Sequence, residues 1–156
     1  MFRRGAAKSE FLSVLGVIVV LSGVAIFMTL QANSDEPKKN ESKEITTPSG
    51  LKYTDLKIGT GDKAKVGSTV SVTYTGTLKN GEKFDSNVGK PPYTVTIGDG
   101  EVIRGWEEGL IGMQAGGKRK LIIPHTLGYG EKGFPPKIPP YAELIFEIEV
   151  VKVKQR

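Results

Sequence analysis

From Ala142 to Val150 every second residue is apolar: Ala142, Leu144, Phe146, Ile148 and Val150, with Glu143, Glu147 and Glu149 among the residues between them. A period of two sends alternate side chains to opposite faces, so this segment reads as a long strand with one buried face and one wet face. A strand of that kind needs sheet neighbours and a second layer to cover its apolar side.

The neighbours are legible too. Val70, Val72 and Tyr74 alternate with Ser71, Thr73 and Thr75, and Tyr93, Val95 and Ile97 alternate before Gly98-Asp99-Gly100 stops the run. Asn80-Gly81 is a strong hairpin signal, because both residues tolerate the positive φ of a tight turn. The covering layer is a single candidate. Val102, Ile103, Trp106, Leu110 and Met113 recur at helical spacing. One helix among short antiparallel strands predicts an α+β domain over residues 50–156, with the helix laid across the inner face of the sheet. The roughly 107 residues of this segment suffice for one core.

Residues 11–30, FLSVLGVIVVLSGVAIFMTL, contain no charge. At about 1.5 Å per residue such a helix spans ~30 Å, the thickness of a bilayer core. The run is longer than the ~7–15-residue apolar region of a cleaved signal peptide, which favours an uncleaved anchor over a secreted, soluble product. Arg3, Arg4 and Lys8 precede it, opposed only by Glu10. That basic excess predicts a cytoplasmic segment at 1–10 and an extracytoplasmic domain beyond the membrane. Residues 31–49 are polar, without aromatics, and carry two prolines. They read as a flexible tether. Asn40-Glu41-Ser42 is a glycosylation sequon, relevant only in a eukaryotic secretory lumen.

Several chemistries are excluded. There is no cysteine and only one histidine, His125. Disulfides, thiolate nucleophiles and His- or Cys-built metal sites are therefore ruled out. The formal charge of +5 is spread widely, and its one dense run, Lys118-Arg119-Lys120, leads straight into Leu121, Ile122 and Ile123 as a strand would begin. Nucleic-acid binding would want basic residues interleaved with exposed aromatics, and none are. Gly112 to Lys118 approaches a P-loop, but Arg119 stands where serine or threonine is required. His125 has no obvious nucleophile to serve, so a structural or solvent role suits it better than catalysis.

What remains is aromatic. Residues 50–156 hold Tyr53, Tyr74, Phe84, Tyr93, Trp106, Tyr129, Phe134, Tyr141 and Phe146. Two or three of these must be core. Each buried phenol or indole needs a hydrogen-bond partner, however, and a one-helix domain seldom seals so many inside. Several can instead line a concave apolar site. Asp85, just past the hairpin, is either its charged member or a turn residue satisfying a backbone N–H.

Four blocks in order, VSVTYTGTLKNGEKFDS, EVIRGWEEGLIGM, GYGEKGFPPKIPP and LIFEIEVVKV, cover the chain from about Ser49 to Lys154. In these the chain resembles the FKBP-type peptidyl-prolyl cis-trans isomerases. The resemblance implies a curved antiparallel β-sheet wrapped around one short α-helix, with a pocket between them. Position by position it places Asp85, Tyr129, Ile103 and Trp106 in the catalytic set. The substrate-binding set becomes Tyr74, Phe84, Tyr93, Val102, Ile138 and Phe146. Trp106 forms the floor, while the backbone N–H of Ile103 and the Tyr129 hydroxyl meet carbonyl groups. Gly105 and Gly109 leave room for the helix to pack closely on the sheet. No metal or cofactor is implied. The implied partners are proline-containing polypeptide clients and a macrolide ligand, on a monomeric catalytic domain. The sequence departs from the family at Tyr93, where phenylalanine is common, at Phe134, a variable loop position, and at Lys137, a position often apolar. Because the loop 131–140 touches partners and macrolides in relatives, Lys137 bears on those contacts more than on isomerisation. The competing function is a non-catalytic binding module using the same pocket and loop.

Overall fold

The computed structural model describes residues 42–156. The expected span 11–30, the sequon asparagine Asn40 and residues 31–41 of the expected tether lie outside the described residues. Among the described residues no helix is long and apolar enough to cross a membrane.

The chain runs through β1 (Glu44–Thr46), β2 (Lys52–Lys57), β3 (Thr60–Lys63), β4 (Thr69–Leu78), β5 (Lys83–Ser86) and β6 (Tyr93–Thr96). Then come α1 (Arg104–Gly109), β7 (Gln114–Ala115), β8 (Lys118–Ile123), a 3-10 turn at His125–Leu127 and β9 (Leu144–Lys154). Seven strands form one sheet in the order β1-β2-β8-β9-β4-β5, with β6 also paired to β4. Every pairing in it is antiparallel. β3 and β7 make a separate two-stranded ribbon. This is the expected α+β arrangement of an antiparallel sheet with one short helix.

The final strand explains the centre of the fold. Leu144, Ile148 and Val150 are fully buried, as are Val70 and Val72 of β4 and Leu121 and Ile123 of β8. Each such side chain contributes about 1.5–3 kcal/mol over an exposed one. The alternation in β9 stops at Val150 for a physical reason. Ser71 pairs with Lys152 and Val72 with Val150, so Val151 is an extra residue, a bulge, and the inward phase resumes at Val153 opposite Val70.

The far edge of β4 is shared. β6 lies opposite Thr69–Val72 and β5 opposite Thr75–Thr77. The hairpin into β5 turns at Asn80-Gly81 as expected: Gly81 has φ 88° and Asn80 Oδ1 accepts the Glu82 N–H at 2.9 Å. α1 lies against β8 through its glycines. A Cβ on Gly109 would come 2.5 Å from Leu121 Cδ1, and one on Gly105 would collide with Ile123. The expected close approach of helix to sheet is therefore present, and only glycine permits it.

One boundary is corrected. The tether expected over 31–49 does not extend that far, because Glu44–Thr46 pairs with Lys52–Thr54 as an edge strand. Thr47 N–H donates to Leu51 O at 2.8 Å to close the turn between them. All three β1 residues are exposed. A strand without a buried face has no alternation to read.

Candidate active site

Tyr74 projects from the inner face of β4, and the two strands on its far edge bring their residues to either side of it. Asp85 pairs in register with Gly76 and Tyr93 with Val72. Asn87 fixes the crossover: its buried side chain accepts the Tyr74 N–H at 2.7 Å and donates to Val72 O at 3.0 Å. α1 contributes Trp106 from below. Glu107 anchors the loop before the helix by accepting the Gly98 N–H and, at 3.0 Å, the Gly100 N–H. Tyr129 follows the 3-10 turn, where His125 O accepts both Gly128 N–H (3.0 Å) and Gly130 N–H (2.8 Å).

These elements enclose a cavity of about 490 Å³ lined by Tyr74, Phe84, Asp85, Tyr93, Glu101, Val102, Ile103, Trp106, Tyr129 and Phe146. Its size falls in the roughly 300–1,000 Å³ of small-ligand sites. Burial orders the walls. Trp106 and Phe146 are each 4% exposed and form the base, while Tyr93 and Tyr129, 42% and 39% exposed, form the rim. Around the indole the rings stand nearly perpendicular: Tyr74 at 5.0 Å and 84°, Phe146 at 5.3 Å and 87°. Phe84 meets Phe146 edge to face at 5.4 Å. Such T-shaped pairs are the favoured contacts between ring quadrupoles.

Gly76 makes the aromatic base possible. It occupies an inward position of β4, where a Cβ would lie 2.7 Å from both a Phe84 and a Phe146 ring atom. An isolated glycine within strand alternation signals such a close approach. That signal, Asn87 and Glu101 are what sequence reasoning passed over.

Of the ten residues expected at the site, nine line the cavity. Ile138 does not. It is 3% exposed within the core and exchanges both backbone hydrogen bonds with Phe134 (2.8 and 3.0 Å), so it anchors the loop rather than facing the site. Phe134 stands outside, tilted against Tyr129 at 5.5 Å, and Lys137 is exposed beside it. His125 packs on Tyr141 at 5.3 Å and is absent from the lining.

The polar groups are few and held. Asp85 Oδ2 accepts the Tyr74 hydroxyl at 2.8 Å, and its Oδ1 accepts the Ser86 N–H at 2.8 Å. Burial, and then the hydrogen bond to Asp85, push the Tyr74 phenol well above its ordinary pKa. Burial and the Asp85 charge raise Tyr129 as well. A raised phenol keeps its proton in the folded state after the unfolded chain begins to lose it. The stability it contributes is thus complete below about pH 10 and lost as pH rises through the folded value. Absorbance titration should show Tyr74 and Tyr129 ionising above the ordinary phenol range. Asp85→Asn should lower the Tyr74 midpoint without returning it to the ordinary value, since burial is the larger cause. A Tyr74 midpoint unmoved by the substitution would contradict the hydrogen bond.

Among the described residues, no serine, cysteine, lysine or histidine lines the cavity. It has no serine, cysteine or lysine nucleophile and no histidine to shuttle protons, and its ionisable side chains are two carboxylates and three phenols. What it offers is a buried aromatic base, fixed hydrogen-bonding groups at the wall, and an open rim.

The model for the family described as FKBP-type peptidyl-prolyl cis-trans isomerase matches residues 60–151. The chain is 52% identical over 105 residues to an FK506-binding protein of Neisseria meningitidis serogroup B, covering 67% of this chain and 96% of that one. It is 51% identical over 120 residues to FK506-binding protein 4 of Dictyostelium discoideum, covering 77% of this chain but only 33% of that protein. Among solved structures it is similar to FkpA from Escherichia coli, with TM-score 0.67 and 42% identity over 74% of this chain and 54% of that one. AtFKBP13 is similar as well, with TM-score 0.66 and 39% identity over 72% of this chain and 99% of that one. The chain thus spans about a third of the Dictyostelium protein and about half of the E. coli one.

Proposed function

The chain belongs to the family of FKBP-type peptidyl-prolyl cis-trans isomerases, and we propose that it accelerates rotation about X-Pro bonds by seating the proline on Trp106. The observation that carries this reading is the convergence of nine expected residues on one aromatic cavity whose lining has no serine, cysteine, lysine or histidine. Rotation about the peptide bond faces a barrier of about 18–20 kcal/mol, set by amide resonance. Each tenfold acceleration requires ~1.4 kcal/mol of preference for the twisted amide over the planar one. The twisted amide has lost resonance charge from its carbonyl, so a dry apolar cavity disfavours it less than the planar form.

In this reading the proline ring lies on the indole between Tyr74, Phe84 and Phe146, with Tyr93 and Val102 beside it. The Ile103 N–H and the Tyr129 hydroxyl bind carbonyl groups, and Asp85 supplies a fixed field near the rotating one. Ile103 suits its part because the first N–H groups of a helix have no partner within the helix. Residues 11–30 would hold the domain to a membrane, and the basic N-terminal flank would keep residues 1–10 in the cytoplasm. Clients would then be proline-containing chains folding beyond that membrane. The macrolide ligand implied by the family resemblance would enter the same cavity past Lys137.

The deciding assay is isomerisation of a short Phe-Pro peptide by the full chain in detergent. Acceleration is expected, and its rate should be flat between about pH 5 and 8, because no histidine or cysteine titrates in the lining. Tyr129→Phe removes one neutral hydrogen bond and should slow kcat/KM by about 2–10-fold. A folded chain without acceleration would shift the reading to a binding module, and a bell-shaped profile centred near neutrality would count against the mechanism. Protease protection of the domain in sealed vesicles tests its placement beyond the membrane.

A further inference from the structure

Two carboxylates line the cavity, Asp85 and Glu101, and among the described residues no lysine, arginine or histidine does. The chain carries a formal charge of +5, so the site reverses the sign of the molecule locally. Neither carboxylate belongs to an ion pair among the described residues. Hydrogen bonds hold them instead. Both Asp85 oxygens already accept, from the Tyr74 hydroxyl and from the Ser86 N–H. Glu101 Oε2 accepts the Thr96 N–H at 3.3 Å, which ties the carboxylate to the edge of β6. Its other oxygen accepts no hydrogen bond from the described residues. The half-exposed rings of Tyr93 and Tyr129 share the lining, and ring faces attract cations.

Placed carboxylates beside aromatic faces are the surroundings a cation prefers. A substrate carboxylate arriving there meets two like charges; both are exposed, so solvent and salt screen them as they screen surface charges. The proline itself is neutral, so the effect acts on the residues next to it.

Resting on the isomerase reading above, we propose that Glu101, with Asp85, makes the site select by charge, favouring lysine or arginine over glutamate or aspartate adjoining the substrate proline. Glu101 is the specificity-determining member, because it is the less engaged of the two: one of its oxygens accepts no hydrogen bond from the described residues, whereas each Asp85 oxygen accepts one.

The test uses the full chain and two peptide series, one varying the residue before the proline and one the residue after it, each as lysine, glutamine or glutamate. In at least one series the lysine-to-glutamate ratio of kcat/KM should be about tenfold at low salt, with glutamine between, shrinking to a few-fold in about 0.5 M salt. Glu101→Gln should reduce the low-salt ratio to a few-fold, whatever happens to the absolute rates. A ratio near one in both series, from a chain that still accelerates the glutamine peptide, would overturn charge selection and leave the isomerase reading standing. No acceleration of any peptide would overturn both. A tenfold ratio that survives Glu101→Gln would remove Glu101 from the role. The salt dependence of the unmodified chain decides charge selection even if the variant does not fold.

Discussion

Arg119→Ala is expected to lower the unfolding free energy by about 3–5 kcal/mol, read from urea denaturation. Arg119 is 7% exposed. Its Nε and Nη2 donate to the two oxygens of Asp55 at 2.6 and 3.1 Å. Nη1 donates to Gly109 O at 2.8 Å and Ile111 O at 3.0 Å, capping carbonyls at the end of α1. The guanidinium also lies over the Tyr53 ring, 4.3 Å from its centre. Alanine would leave a partly buried carboxylate and two helix-end carbonyls unmet, and that stranding, more than the lost pair itself, sets the cost. Lysine keeps the charge but not the planar fork, so Arg119→Lys should recover less than half of the loss. A cost for Arg119→Ala below about 1 kcal/mol would mean that the network is incidental, as surface ion pairs are.

Trp106→Leu should separate activity from stability. On the proposed mechanism it removes the surface that seats the proline, and kcat/KM on a Phe-Pro peptide should fall by about 10–100-fold, or some 1.4–2.7 kcal/mol of transition-state stabilisation. Its effect on unfolding should be milder than its burial suggests. The indole Nε1 is buried and has no hydrogen-bond partner among the described residues. Its neighbours Tyr74, Phe146 and Tyr93 are aromatic rings, which are weak acceptors at best. An unmet buried donor costs about 1–3 kcal/mol, so leucine relieves a penalty while it loses contacts. A net destabilisation of about 1–2 kcal/mol is expected. A core built for stability alone would not keep such a donor, whereas a site can hold one at a cost in stability. Equal and large losses in both measurements would make Trp106 a core residue first.

How much was legible follows from what each signal depends on. The strands β4, β6 and β9 and the Asn80-Gly81 hairpin come from local rules, alternation and turn chemistry, and they appear where expected. The helix also appears, though its regular hydrogen-bonded part covers only Arg104–Gly109 of the helical spacing that runs from Val102 to Met113. Arg119 shows the opposite case. In sequence it is the middle of a basic run that leads into a strand, with nothing to mark which of the three is buried, yet its place in β8 alternates inward, between Lys118 and Lys120. Asp55, 64 positions away in sequence, together with the carbonyls of Gly109 and Ile111, makes that burial tolerable. Ile138 likewise matched a family position at the site but was drawn into the core by its backbone pairing with Phe134.

Residue order therefore sufficed for most elements and their inner faces, because periodicity is a property of short stretches, while the residues that share the cavity were implied by the resemblance of four sequence blocks to a known family. Tertiary structure decided the rest: which aromatics became base and which became rim, that Gly76 must lack a side chain, that Glu101 joins Asp85, and that Arg119 is buried. Each of these depends on a contact between segments distant in the chain, and no short-range pattern encodes the distance across such a contact.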